Sequence, residues 1–294
     1  MKLVQTLVVS DDADAADAQI AFQLNAGVDF VIAIVPEADA AGAAILERYE
    51  RGGYLRVLRG EADADSRTRL ARLAAMEYGA DWVINSDADE FWWPRGESLK
   101  DVLAPIPPRY TIVQALRREL VPEPGADDSF GERLTARRAL EDSPPGSPAS
   151  LLRPIHRADP EVVVDADGSV QVSRPVPLRS WYPVEVFHVA DRHELQGGSL
   201  VEDTRLRDAL RILRERATDG GYAVPSAGTR ALSFRTPDIV DDAAYAVECA
   251  AVGEVDLPRL EEYVTELEQR VGWLEQRFWP RLLRSVSRRV NRRS

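Results

Sequence analysis

The sequence predicts an α/β protein: a mixed sheet flanked by helices, followed by a helical, coiled-coil tail. Three observations lead there. Short apolar runs alternate with helix-favouring stretches over the first 95 residues. Between residues 110 and 189 the apolar runs become short and β-branched, around an interval at 122–150 rich in Pro, Gly, Ser and Asp. From Leu260 to Phe278 apolar residues recur with heptad spacing.

In the front part, Val4 to Val9 and Phe30 to Val35 are apolar enough for strands buried on both faces, and Tyr54 to Leu58 and Trp82 to Asn85 continue the series. Between them, Asp14 to Ala26, Asp39 to Arg51 and Asp65 to Tyr78 favour helix. Each stretch is followed by glycine, Gly27, Gly52-Gly53 and Gly79, which suits a helix stop. Strand–helix alternation with short loops implies a parallel sheet covered on both faces. Ligands of such sheets sit at the carboxyl ends of the strands. Here those ends are Ser10-Asp11-Asp12, Pro36-Glu37, Arg59-Gly60 and Ser86 to Glu90.

Further on, Tyr110 to Leu116 reads as a strand, residues 122–150 as a long loop with at most one short helix, and Val162–Val164, Val170–Val172 and Val184–Val189 as short antiparallel strands. Residues 200–217 and 238–252 read as helices. Leu260, Val264, Leu267, Val271, Leu274 and Phe278 form an a/d seam of about three heptads. Such a short seam needs a partner to be stable, either a second copy through 257–279 or the body of the protein.

The chain has 294 residues and a net charge of −12. The arginines at 277, 281, 284, 288, 289, 292 and 293 face no acid in the last 18 residues, so the remainder holds 30 basic against 49 acidic residues. An acidic body argues against nucleic acid as the ligand. The basic, amphipathic segment 280–294 suits peripheral contact with an anionic membrane. One cysteine, Cys249, excludes an internal disulfide framework. With no secretory signal or long apolar run, the expected location is the cytoplasm, or the inner face of the cell membrane by way of the tail.

The strongest local signal is Trp82-Val83-Ile84-Asn85-Ser86-Asp87-Ala88-Asp89-Glu90, in which a buried strand runs into two carboxylates spaced i, i+2. Hard divalent cations prefer oxygen ligands and share few protein carboxylates with substrate phosphates. Asp87 and Asp89 therefore suit Mn²⁺ or Mg²⁺ held against a diphosphate, and the plainer reading is an acidic turn. Trp92 and Trp93 follow directly and suit either sugar stacking or core packing.

The stretch Gly79-Ala80-Asp81-Trp82 to Asp87-Ala88-Asp89-Glu90-Phe91-Trp92 resembles the core of bacterial family 2-like glycosyltransferases, which carry G-A-D-W-V-I-N-x-D-A-D-E-F-W. Thr68 to Ala74, Ser129 to Thr135, His156-Arg157-Ala158-Asp159-Pro160 and Val184 to His188 are similar to further segments of that group, so the resemblance spans roughly residues 1–195. It implies a GT-A-like fold and transfer of a sugar from a nucleotide-sugar donor with a divalent metal, and the basic tail suits a glycan or lipid-linked acceptor. The α/β front and the looser β-rich part outline a donor and metal half at 1–100 and an acceptor half at 101–199, followed by a helical extension at 200–256 and a tail at 257–294.

The resemblance implies His188 as a third metal ligand beside Asp87 and Asp89. Asp11 and Asp87 lie at strand ends where the donor binds. Val35 stands where the family has a nucleotide-contacting aspartate, which leaves Glu37 or Asp39 to make that contact. Arg72 and Arg69 precede the metal strand and suit either donor phosphate or surface salt bridges. An inverting transferase needs a carboxylate near the acceptor hydroxyl, and Glu132, Asp159 and Asp191 qualify by position. Glu90 suits either that neighbourhood or orientation of the loop, and His156 either a substrate contact or a turn cap. Two departures from the family, Val35 in place of that aspartate and Asp167-Gly168-Ser169 in place of its Gly-Asn-His, leave a second reading open, a sugar- or nucleotide-binding protein without turnover.

Overall fold

A computed structural model describes residues 1–9, 12–36, 40–123, 130–139, 151–178, 181–189, 199–218, 220–226, 229–237, 241–242 and 244–246. The heptad and the arginine-rich segment lie outside the described residues.

The apolar runs of the front half become a parallel sheet. Strand β1 (Leu3–Val8) lies between β2 (Phe30–Val35) and β4 (Trp82–Asp87), with β3 (Leu55–Arg59) outside β2. Helices α1 (Ala13–Ala26), α2 (Ala40–Arg51) and α3 (Ala64–Met76) connect them. Leu46 and Tyr49 of α2 share one core cluster with α1, whereas α3 packs Leu70, Ala71 and Ala74 against Val4, Ile32, Ile34 and Val83 on the other face. Each expected strand and helix of this half is present, with ends shifted by a residue or two.

Local chemistry explains the helix ends. The Asp12 carboxylate accepts from the backbone N–H of Asp14 and Ala15 and caps α1. At its other end Gly27 adopts φ 114°, a conformation that suits glycine, and a Cβ there would sit 3.3 Å from Cβ of Ser98. Asp63 caps α3 through the Ser66 N–H.

After β4 the sheet turns antiparallel. Strand β5 (Glu90–Pro94) follows at once, then α4 (Leu99–Leu103), the long β6 (Ile112–Pro122), a 3₁₀ turn (Phe130–Arg133), β7 (Leu134–Arg138) and β8 (Leu152–Arg157). The hairpin β9 (Val163–Val164) and β10 (Val170–Gln171) covers α3, and β11 (Pro177–Leu178) and β12 (Val184–Val189) lie along β6. Strand β13 (Leu200–Glu202) and helix α5 (Arg205–Arg216) follow. Among the described residues one sheet holds eleven strands, with the path β13-β7-β6-β8-β4-β1-β2-β3 and the pair β5–β12 attached to β6. This is the mixed sheet flanked by helices that the sequence predicts. No helix among the described residues is long and apolar enough to cross a membrane.

Five strands lie where the sequence predicts none: β5 inside the acidic motif, β7 in the loop-like interval, β8 in a proline-containing stretch, the short β11, and β13. Val184–Val189 is a strand as expected, but it runs parallel to β6 and antiparallel only to β5. Residues 200–202 extend the sheet instead of starting a helix. Within 238–252 the described residues Asp241, Asp242 and Ala244 to Ala246 are helical, and the others lie outside the described set.

A buried ion network binds the second half together. Glu185 of β12, 1% exposed, accepts from Arg118 Nε of β6 and Arg205 Nη1 of α5, both at 2.8 Å, with Arg95 at 3.6 Å. Burial pushes its carboxyl up, but the Arg205 and Arg118 charges outweigh that and hold it at about 2, against an ordinary 4.5. Glu185→Gln should lower stability to urea by about 3 kcal/mol or more near neutral pH, since it removes the buried charge that Arg118 and Arg205 both meet. Because the folded pKa is depressed, this stabilisation is present above pH 4.5 and fades as pH falls toward 2. The gap between wild type and variant in urea midpoints should close over that window.

Candidate active site

The Asp-x-Asp sits where the parallel sheet hands over to the small β5–β12 pairing. Asp87 is the last residue of β4, Ala88 and Asp89 make the turn, and Glu90 opens β5. Parallel pairing of Val8 with Asp87 places the turn at the carboxyl ends of β1 and β4. Strand alternation puts Val83, Asn85 and Asp87 on the α3 face.

The turn is fixed from below by buried polar bonds. Trp92 Nε1 donates to Ser86 Oγ at 3.0 Å, Gln19 Nε2 of α1 donates to the Glu90 carbonyl at 3.1 Å, and the Asp87 N–H donates to Glu90 Oε2 at 3.3 Å. Glu90 is buried and takes Arg153 Nε of β8 at 2.8 Å. Burial raises its carboxyl above the ordinary value despite the Arg153 charge. Glu90 therefore orients the loop.

Asp87 is paired with Arg67 of α3, Nη2 to Oδ1 at 2.6 Å. Asp89 faces His188 of β12, whose Nε2 lies 3.4 Å from Asp89 Oδ2 and whose Nδ1 lies 2.9 Å from Glu119 of β6. Burial pushes the His188 imidazole down, but its hydrogen bonds to Asp89 and Glu119 carry it to about 9. Asp89 Oδ1 is buried and makes no hydrogen bond. Asp87 and Asp89 share one turn, and His188 approaches Asp89 from β12. In this arrangement no cluster of three His, Cys, Asp or Glu side chains among the described residues is set to hold a metal ion. Arg67 occupies Asp87, and a protonated His188 has no lone pair to offer.

The fit to a cation rests on the donor set. Two carboxylates at one strand end, one with an orphaned buried oxygen, and one imidazole are oxygen and nitrogen donors suited to Mn²⁺ or Mg²⁺. Such ions take few protein ligands when substrate phosphates and water complete the shell.

Other expected site residues are placed elsewhere. Asp159 lies past Arg157, which pairs with Trp82 at the amino end of β4, so it stands at the sheet edge opposite Asp87. There it accepts from the N–H and Oγ of Ser173 and the N–H of Glu161, closing a turn. Glu132 is exposed on the 3₁₀ turn. Arg72 donates from Nε to the Val162 carbonyl and ties α3 to the hairpin. Val35 is fully buried in the core and offers no polar group. Asp11, Glu37, Asp39 and Asp191 lie outside the described residues. His156 is fully buried, its Nδ1 2.8 Å from the Arg157 carbonyl, and burial lowers it to about 4. Trp92 is buried, and Trp93 packs edge-on against Phe187 and Phe234. Trp92 is a core residue, and Trp93, partly buried, packs against that core and lines a cavity with Arg95 and Arg118.

No family model matches the chain, and no curated protein matches it. Among solved structures, S. aureus TarS 1-349 in complex with UDP-GlcNAc is similar at a TM-score of 0.42, with 14% identity over 66% of this chain and 60% of that one. The same protein in complex with UDP gives 0.40 and 14% over 65% and 61%. The inositol-1-phosphate CTP transferase from T. maritima gives 0.35 and 9% over 73% and 97%. The chain spans 60% and 61% of the two TarS chains. Likeness at this level concerns the outline of the fold and none of the site residues.

Three site residues escaped the sequence reading: Arg67, Arg153 and Glu119. Arg67 carried a usable signal, since it directly precedes Thr68 to Ala74 on the helix that leads into β4. Arg153 and Glu119 are contributed by strands more than 25 residues away and carried none. The Arg67–Asp87 pair competes directly with any cation at the turn. Arg67→Gln should therefore tighten Mn²⁺ binding by about two- to fivefold, the scale of a partly exposed ion pair, read by titration of Mn²⁺ alone. Weakened binding would mean that Arg67 organises the turn instead of blocking it.

Proposed function

We propose that the chain is a GT-A-like glycosyltransferase that takes its sugar from a nucleotide-sugar donor with the help of Mn²⁺ or Mg²⁺. The observation that carries this is the Asp-x-Asp turn at the carboxyl end of a central parallel strand, with a buried, unpartnered Asp89 oxygen and His188 converging from another strand. Asp87, Asp89 and, once it releases its proton, His188 would hold the cation. When bound, it would offset charge on the departing diphosphate oxygen.

This chain's own residues would do the rest. Arg67, displaced from Asp87, would be free to add a guanidinium to the leaving group. Glu90 and Arg153 keep the turn in place without reaching the reacting atoms. The acceptor hydroxyl needs a carboxylate base; Asp191 and Glu132 are proposed for it, and Asp159, at the far sheet edge, is not. Glu37 or Asp39 would contact the nucleotide, because buried Val35 does not. The acceptor would be a glycan or lipid-linked sugar.

A second reading is favoured by the Arg67–Asp87 pair and by Val35: a protein that binds a nucleotide or sugar without turning it over. Incubation with a binding nucleotide-sugar and Mn²⁺ separates the two, since a transferase slowly releases nucleoside diphosphate by hydrolysis and a pure binder does not.

In a thermal-shift panel of nucleotide-sugars, at least one should raise the melting temperature only with Mn²⁺ present. Asp87→Asn and Asp89→Asn should abolish that metal-dependent shift and leave the unliganded melting transition cooperative. Asp159→Ala should retain the shift in full while loosening the hairpin. A double Asp87→Asn, Asp89→Asn variant that keeps Mn²⁺-dependent stabilisation would remove the basis of the proposal.

A further inference from the structure

The parallel strands β1, β2 and β3 all lie on one side of β4, so a donor at their carboxyl ends occupies that side. On the other side stand β8 and then β6. Strand β8 runs antiparallel to β4, with Val83 opposite His156 and Ile84 opposite Ile155. Leu152 and Arg153 therefore flank the carboxyl end of β4, beside Asp87.

A cavity of about 260 Å³ opens here, between β6, β8 and the turn that leads into β10. Gln114, Arg153, Pro154, Asp167, Ser169 and Val170 are among its walls. Pro154 is two residues from His156, which pairs with Val83, and Gln114 pairs with Pro154. By strand alternation Gln114 and Asp87 then project from the same face of the sheet, two strands apart. Arg153 joins the two places, because it lines the cavity and its Nε holds Glu90.

We propose that this cavity is the acceptor subsite and takes a single hydroxyl-rich sugar ring, an inference that rests on the donor centre at Asp87 and Asp89. Gln114 Oε1 is buried and makes no hydrogen bond, so it lacks the donor that a sugar hydroxyl would supply. Asp167 and Ser169 offer further oxygens at the rim, and Arg153 offers N–H groups. Pro154 and Val170 give the apolar surface against which the C–H face of a pyranose packs. The volume is below the roughly 300–1,000 Å³ of sites for larger ligands, which limits the occupant to about one ring.

The test is a titration of the full chain with methyl glycosides of hexoses, pentoses, 2-acetamido sugars and uronic acids, followed in ¹H–¹⁵N spectra. At least one glycoside should shift the Gln114 side-chain amide and the Ser169 backbone amide. Gln114→Leu should weaken that glycoside about fivefold or more, as the loss of one hydrogen bond requires. Asp167→Ala, on an exposed turn, should weaken it without changing the melting temperature. Asp87→Asn should leave glycoside binding intact while removing Mn²⁺-dependent nucleotide-sugar binding. The subsite is overturned if no glycoside moves these resonances, or if both cavity variants bind as wild type does. Loss of the donor arm alone, with glycosides still bound at Gln114, would instead overturn the donor centre.

Discussion

The second half of the molecule depends on how the chain gets out of the parallel sheet. Between Asp87 and Glu90 it leaves β4 and enters β5, a strand that pairs with β12 and not with its sequence neighbour. The buried Glu90–Arg153 pair makes this geometry specific. Arg153 comes from β8, which is itself hydrogen-bonded to β4, so the pair ties the new strand to the old sheet across the turn. Removing one partner of such a pair strands the other in a desolvated place, which costs about 3–5 kcal/mol. The two carboxylates at the turn inherit their positions from this tie and from the Trp92–Ser86 and Gln19–Glu90 bonds beneath it.

Alternation along β6 and β12 then gives the two faces of the small sheet different tasks. His188, Glu119 and Arg117 project to the face that meets Asp89. Glu185, Phe187 and Arg118 project to the other, where Arg205, Trp93 and Tyr245 close over them. A register slip of one residue would exchange these sets. The Glu185 network opposes such a slip, because its carboxylate is matched at once to guanidinium groups from two elements, Arg118 of β6 and Arg205 of α5. The structural ion network thus holds the register on which the His188–Asp89 approach depends.

The parallel half was legible because each strand there is an uninterrupted apolar run bounded by a helix stop. The antiparallel half was not, for reasons visible in single residues. Strand β8 is Leu152-Arg153-Pro154-Ile155-His156-Arg157: it contains a proline and three basic residues, yet it lies between β4 and β6. Its strand character comes from its neighbours, a tertiary override of weak local preference. Strand β7, Leu134 to Arg138, ends in two arginines and was concealed in a loop-like interval. For the site, the strand-end carboxylates and His188 could be read from the sequence. Their partners Arg67, Arg153 and Glu119 could not, because each pairing joins segments that only the completed sheet brings together.

The charge pattern at the turn explains why so many acids can gather there. Asp87, Asp89, Glu90 and Glu119 stand against Arg67, Arg117, Arg153 and a protonated His188, so four negative groups are matched by four positive ones. Without the cationic partners, carboxylates at such spacing would repel and their ionised forms would be disfavoured. The matching is not uniform, however. Glu90 and Arg153 are nearly enclosed, whereas Asp87 and Asp89 are each about 40% exposed. Pairs at the surface separate at little cost, since water screens the charges once they part. The inner pair is therefore the fixed frame, and the Arg67–Asp87 and His188–Asp89 contacts are the exchangeable layer above it. A binding cation would have to compete only with that outer layer, and the turn beneath would keep its shape.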